Sequence, residues 1–423
     1  MNTCTIALII LALTILLFVT EWIPIPITAV SAALLMGLFG IISFSEAFSG
    51  FSNDITMLVI GAVIVGESLF ETGVAQSLGR GIIRIVGVHE RAFLVACIVV
   101  SGVLSAFLSN TAVVAMMLPV VAATAASSGG RIKKKNIYMA VGFSANVGGG
   151  MTLVGSTPNV IGQGLLANAG LETMGFFDLT WGSIPRFLFI IAFYATVGLK
   201  VQEKVFDFEE QEPYQIPPTE AAEDIKGYSG IKMALSVIIL VLMVIGFVSG
   251  IWTVGAVAML AGLACICTGC IRARQVFERM DWNTVWVLAG SFGLAAGIDK
   301  SGAGQLIADT AIGWFGGSVS MLTLMILFTV LAVIMGNLMS SSASTAILGP
   351  IAIYICTELG LPAKPVIMAI IWTLNLAFLT PVATPPVTMT LQGGYRFLDY
   401  TKVGGILMAG CIILTIACYP FLI

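Results

Sequence analysis

Charge is scarce in this chain: 10% of its 423 residues, where soluble domains carry about 25%. With 58% hydrophobic residues and a mean hydropathy of +1.04, it could not assemble a surface for water. His89 is the one histidine and no HExxH-type pattern occurs, so an intramembrane enzyme would lack its convergent polar groups. The eight cysteines sit mostly singly in apolar runs, at Cys4, Cys97, Cys356, Cys411 and Cys418. Cys265, Cys267 and Cys270 close another such run with no histidine nearby, and read as small packing residues rather than a metal site. No pattern suggests a disulfide framework. The net charge of −3 names no partner, and none of nucleic acid is expected.

What is present is a succession of apolar runs near the ~20 residues that cross a bilayer core. Spans are expected near 4–20, 24–43, 55–70, 137–168, 183–200, 230–249, 251–269, 283–299, 365–391 and 403–420. No basic residue precedes the first run and no small-residue cleavage signal follows it, so it reads as a span rather than a signal peptide. Lys and Arg concentrate on the cytoplasmic side of membranes. With the RIKKK cluster at 131–135 placed inside, sixteen of the nineteen basic residues fall inside, all but Arg186, Lys300 and Lys364.

That threading requires 92–126 to enter and leave on the same side, because Arg91 and Arg131 flank it. Each arm of such a hairpin would rise roughly 25 Å at 1.5 Å per residue, deep into the ~30 Å core. A re-entrant helical hairpin with its tip near Ser109 is expected there, and two full crossings are its rival. The stretch 201–229 is rich in Asp, Glu and Pro and reads as an acidic cytoplasmic linker.

The chain repeats itself. Glu71-Thr72-Gly73 aligns with Lys300-Ser301-Gly302 at an offset of 229, Ser109-Asn110-Thr111 with Ser340-Ser341-Ser342 at 231, and Gly155-Ser156-Thr157-Pro158 with Ala383-Thr384-Pro385-Pro386 at 228. Five spans per half turn the second copy upside down. The expected fold is an all-α polytopic membrane protein of two inverted repeats of five spans. The first, 1–200, holds hairpin 92–126 and broken helix 137–168. The second, 230–423, holds hairpin 319–363 and broken helix 365–391.

Non-helical backbone at membrane depth is tolerated only where protein or a water-filled cavity satisfies it, so these four interruptions are the candidate site. Free carbonyls where a helix ends suit a small cation, and free N–H groups where one begins suit an anion. Ser109, Asn110 and Thr111 are also strong N-cap residues, Thr157 can cap, and Pro158 suits a first helical turn. None of the four motifs contains Asp or Glu. Neutral oxygens match Na⁺ better than H⁺. Glu67 and Asp299, near span ends, are the nearest titratable candidates a proton-coupled carrier could use, and read with His89 as structural or interfacial.

These motifs, Ser109-Asn110-Thr111 with the breaks at 155–159 and 383–386 and the two-hairpin repeat, resemble the divalent-anion:sodium symporter family, carriers of dicarboxylates, citrate or sulfate within the ion-transporter superfamily. The resemblance implies a homodimer, an elevator-type movement and Na⁺ as coupling ion, with no other cofactor. It implies Na⁺ ligands at Ser105, Ser109, Asn110 and the backbone of Gly155, and substrate contacts at Asn110 and Thr111. In the second half Ser341 and Ser342 stand where the family has Asn and Thr, and Gly336 stands where Ser105 would have its counterpart. The corresponding expectations are Ser341 and Ala383 for an ion, and Ser341, Ser342, Thr157 and Thr384 for the substrate. The expected function is secondary active transport of a small anion, a di- or tricarboxylate or an inorganic oxyanion, across the cell (inner) membrane. An efflux permease or ion/proton exchanger of the same superfamily is the alternative, ahead of an intramembrane enzyme or a channel.

Overall fold

The computed structural model describes residues 2–74, 77, 89–208, 229–306, 310, 320–381 and 383–422. Most of the expected linker, residues 209–228, lies outside them.

The first half runs α1 (Thr3–Thr20), α2 (Ile25–Leu38), α3 (Phe44–Ala47), α4 (Asp54–Glu71), α5 (Glu90–Ser105), α6 (Asn110–Ser127), α7 (Tyr138–Gly149), α8 (Thr157–Asn168) and α9 (Thr180–Phe193), which continues through a π turn into α10 (Leu199–Val205). The second runs α11 (Gly230–Ser249), α12 (Val254–Cys267), α13 (Ala273–Arg279), α14 (Trp282–Ser301), α15 (Met321–Leu338), α16 (Ser341–Glu358), α17 (Ala363–Leu374), α18 (Pro385–Met389) and α19 (Phe397–Cys418). Among the described residues, six helical segments are long and apolar enough to cross a membrane: Thr3–Thr20, Asn110–Ser127, Thr180–Val205, Gly230–Ser249, Met321–Leu338 and Phe397–Phe421. Shorter apolar helices are α2, α12 and α17.

Side-chain chemistry sets the helix ends. Asn53 caps α4 by accepting from the Ile55 amide, and Asp281 caps α14 by accepting from the Thr284 amide, satisfying donors a first turn leaves free. Pro24 and Pro26 open α2, and Pro158 and Pro385 lie in the first turns of α8 and α18, where a missing N–H costs nothing.

Packing crosses between the halves. α4 lies on α12 and α2 on α14. At the first crossing a Cβ on Gly61 would strike the Ala258 carbonyl, and at the second a Cβ on Gly290 would strike the Ala29 backbone. These are backbone-to-backbone approaches that only small residues permit, the usual device for joining helices where lipid removes the hydrophobic drive. The hairpin arms and broken helices form a second group. In it α5 packs on α7 and α15 on α17, while α6 meets α18 and α16 meets α8. α9 and α19 pack together beside this group.

Candidate functional site

The tips and breaks meet. The stretch 92–126 folds as α5 and α6 joined at 106–109, and the described part of 319–363 as α15 and α16 joined at Met339 and Ser340, with α17 beginning at Ala363. The broken segments unwind at 150–156 and, among the described residues, at 375–381 and 383–384. All four turns open on one cavity of about 490 Å³, lined by Ser109, Asn110, Thr111, Gly155, Thr157, Ser341, Ser342, Ala383 and Thr384 among others. The first turns of α6, α8, α16 and α18 all border it, and the longer three, α6, α8 and α16, bring free backbone N–H groups and positive dipole ends to it.

One terminal atom of the Asn110 amide lies 3.0 Å from the Gly155 carbonyl, 3.2 Å from Ser105 Oγ and 3.2 Å from the Ala145 carbonyl. With nitrogen turned inward the amide donates to these oxygens, and with oxygen turned inward four oxygens face one another. The second is the arrangement a small cation would hold together. Ser105 is fully buried behind the cavity wall rather than part of its lining. The glycines before the break make room for this approach. A Cβ on Gly149 would strike the Asn110 side chain, and one on Gly155 would come within 2.6 Å of the Ser105 carbonyl.

Capping differs from the expectation at two places. Ser156 rather than Thr157 precedes α8, and neither it nor Ser109 makes a side-chain cap bond. Thr157 Oγ1 instead lies 3.2 Å from Thr284 Oγ1, which donates to Asp281. Ser340 does cap, accepting from the Ala343 amide at 3.2 Å. Ser341 Oγ donates to the Leu374 carbonyl at 3.1 Å.

Several lining groups were not anticipated. Asn146 Nδ2 donates to Thr384 Oγ1 at 2.8 Å, and Asn375 Nδ2 donates to Asn159 Oδ1 at 3.1 Å. Each asparagine thus reaches from one half into the other half's break. Their numbers differ by 229, the repeat offset, a signal that could have found them. The cavity rim also carries Glu21, Glu67, Arg279 and Asp281. Arg279 sits 3.6 Å from Glu67 and 3.1 Å from Glu71. Asp299 is not at the cavity and interacts with Tyr354. His89 is exposed at the start of α5. Cys265 accepts from Ser68 Oγ at 3.3 Å, in the packing between α4 and α12.

Residues 15–346 and 254–423 match the model of a family described as citrate transporter. The chain belongs to that family. It is a transporter and a multi-pass membrane protein, not an enzyme, and the resemblance to divalent-anion:sodium symporters holds. Among curated relatives, an uncharacterised transporter of Haemophilus influenzae is 27% identical, over 95% of this chain and 88% of its own length. A sodium-dependent high-affinity dicarboxylate transporter of Caenorhabditis elegans is 24% identical, over 94% and 80% respectively. Among solved structures, the YdaH transporter of Alcanivorax borkumensis shares the fold with a TM-score of 0.62, at 16% identity over 92% of this chain and 87% of that one.

Proposed function

We propose that the chain is a secondary active transporter of a small anion, a di- or tricarboxylate or an inorganic oxyanion, coupled to Na⁺. The observation that carries this reading is the meeting of four unwound, uncharged motifs in one cavity. An anion there would sit among free N–H groups and the side chains of Asn110, Thr111, Thr157, Ser341, Ser342 and Thr384. A Na⁺ held by Asn110, Ser105 and the carbonyls of Gly155 and Ala145, with Ser109 beside it, would supply countercharge. Ser341 and Ala383 are the corresponding positions of the second half. The sodium-dependent relative supports the choice of ion.

In this reading the halves, 1–200 and 230–423, are inverted repeats joined by a cytoplasmic linker, 201–229. The crosswise contacts support it: α4 with α12 answers α14 with α2, and Gly61 on Ala258 answers Gly290 on Ala29, every partner 229 residues apart. The ion pairs support the topology. Lys300 with Glu46, and Lys364 with Glu172 and Asp178, join loops assigned outside. Arg279 with Glu67 and Glu71, and Arg396 with Asp207, join groups assigned inside. Glu21, Glu67, Arg279 and Asp281 all belong to inner span ends, so the cavity faces the cytoplasm of an inner membrane. α5 and α15 then begin re-entrant hairpins. The frame of α1–α4 and α11–α14 would stay fixed in a homodimer while the hairpin-bearing group moves as an elevator.

The test is uptake of citrate, succinate and sulfate into proteoliposomes with and without an inward Na⁺ gradient. Gradient-driven uptake of at least one anion, abolished by Asn110→Ala in a protein that still folds, is the expected result. Uptake indifferent to Na⁺ would overturn the coupling, and uptake intact in the variant would overturn the site. Glu67 on the cavity rim favours one second reading, exchange or efflux coupled to protons. Loss of a pH-dependent flux in Glu67→Gln would select it.

A further inference from the structure

Arg186 is 1% exposed, and no carboxylate pairs with it among the described residues. Its Nη1 donates to the Trp372 carbonyl at 2.7 Å, its Nε to the Gly182 carbonyl at 2.8 Å and its Nη2 to Ser183 Oγ at 2.8 Å. The Trp372 ring lies 5.2 Å from the guanidinium carbon. Ser183 passes the contact on, donating to the Gly150 carbonyl at 2.6 Å. The charge is therefore held at the carbonyl ends of both broken helices, α7 and α17, where a negative dipole end favours a cation. A buried charge without such partners would be costly.

The two halves differ at the place where each would hold an ion. In the first, Ser105 Oγ and the carbonyls of Gly155 and Ala145 all lie within 3.2 Å of one terminal atom of the Asn110 amide. In the second, Gly336 faces Leu374, and a Cβ on Gly336 would lie 2.7 Å from Leu374 Cδ2. A methyl group thus fills the space that a hydroxyl counterpart would need. α17 ends at Leu374, so the carbonyls of Trp372 and Leu374 belong to a last turn with no intrahelical partners. Arg186 takes the first and Ser341 the second.

The geometry points to Arg186 as a permanent internal cation standing in for a second Na⁺, so that each anion is coupled through a single ion site at Asn110. This rests on the Na⁺ reading of Asn110 proposed above. The guanidinium sits on the far side of α17's last turn, about 10 Å from where Ser341 would bind an ion. At that range like charges lower affinity on the order of tenfold in a protein-like dielectric. α19, which follows the second broken helix as α9 follows the first, carries no Lys or Arg beyond Lys402. The fixed charge therefore touches the second-half break directly, through the Trp372 carbonyl, and reaches the first-half break only through the Ser183 hydroxyl.

The experiment is a Na⁺ titration of anion uptake by the purified full-length protein in proteoliposomes, with thermal melting against NaCl as a second readout. The expected Hill coefficient is about 1. A coefficient near 2 overturns the inference while leaving Na⁺ coupling intact. No Na⁺ response at all overturns the coupling itself, and the inference with it. A pair of variants isolates the charge. Gly336→Ser with Leu374→Ala rebuilds the first half's donor set in the second, and should keep a coefficient near 1 while Arg186 is present. Adding Arg186→Met should raise it toward 2. The same coefficient in both backgrounds would make Arg186 merely structural. If the triple variant does not fold, the wild-type titration still decides.

Discussion

Thr380 donates its hydroxyl to the Asn337 carbonyl at 3.0 Å. Thr152 makes the matching bond to the Ala106 carbonyl, with donors 228 residues apart and acceptors 231 apart. In both halves the unwound segment ties itself to the carbonyl end of its own hairpin's first arm. The hydroxyl replaces the amide that a continuing helix would have supplied.

Thr152→Val keeps the shape and removes the donor. It leaves the Ala106 carbonyl unpaired in a fully buried setting, at a cost of about 1–3 kcal/mol. Melting in detergent should fall accordingly, with anion uptake reduced alongside, while Thr152→Ser should stay near wild type.

Gly61→Val forces a branched side chain against the Ala258 carbonyl. Overpacking usually costs about 1–3 kcal/mol, and here the obstacle is backbone that cannot swing aside. Gly290→Val should behave alike, and both should reduce the yield of monodisperse protein on gel filtration. Gly230→Ala, with nothing within 4 Å, should do nothing.

Glu46 is held down from 4.5 to about 2, chiefly by the Lys300 ammonium and then by the Ser43 amide and hydroxyl. A depressed carboxylate stabilises the folded state fully above its unfolded value and loses that contribution as pH falls through the folded one. The melting temperatures of wild type and Glu46→Gln should differ above pH 5 and converge as pH drops from about 4.5 toward 2. The pair is exposed, so the difference should also shrink in high salt.

Asn375→Ala removes the amide that reaches Asn159, and Asn159→Ala removes its acceptor. Groups in one network are non-additive, with coupling of about 0.5–3 kcal/mol. A double-mutant cycle on melting should find coupling in that range. Asn375 paired with Glu46, which shares no partner with it, should give simple addition.

Much of the site could be read from residue order. Three motifs in an apolar chain recur at offsets of 228 to 231, and two of them marked Asn110, Thr157, Ser341 and Thr384, all four of which the structure brings to one cavity. Asn146 escaped because it lies inside a helix with ordinary periodicity, and its role appears only when Thr384 folds against it. The Ala145 carbonyl escaped because backbone atoms carry no residue-type signal. Arg186 looked like a basic residue on the wrong side of the membrane. Its burial against the Trp372 carbonyl depends on α9 and α17 packing together, which no local pattern encodes. Thr157 was mistaken for a cap because its residue type suits that role, whereas its actual partner Thr284 lies 127 positions away.

The crossed asparagine bonds bear on how the molecule is made. Asn159 Oδ1 receives its donor from Asn375, and Asn146 finds Thr384, so both wait for residues from the far end of the chain. At about 5–20 residues per second the ribosome needs roughly 10–45 s to cover that gap. Throughout that interval the nascent first half holds the Asn159 amide nitrogen on its own Gly149 and Thr152 carbonyls, while the Asn159 side-chain oxygen and the Asn146 amide stay open until their complements arrive.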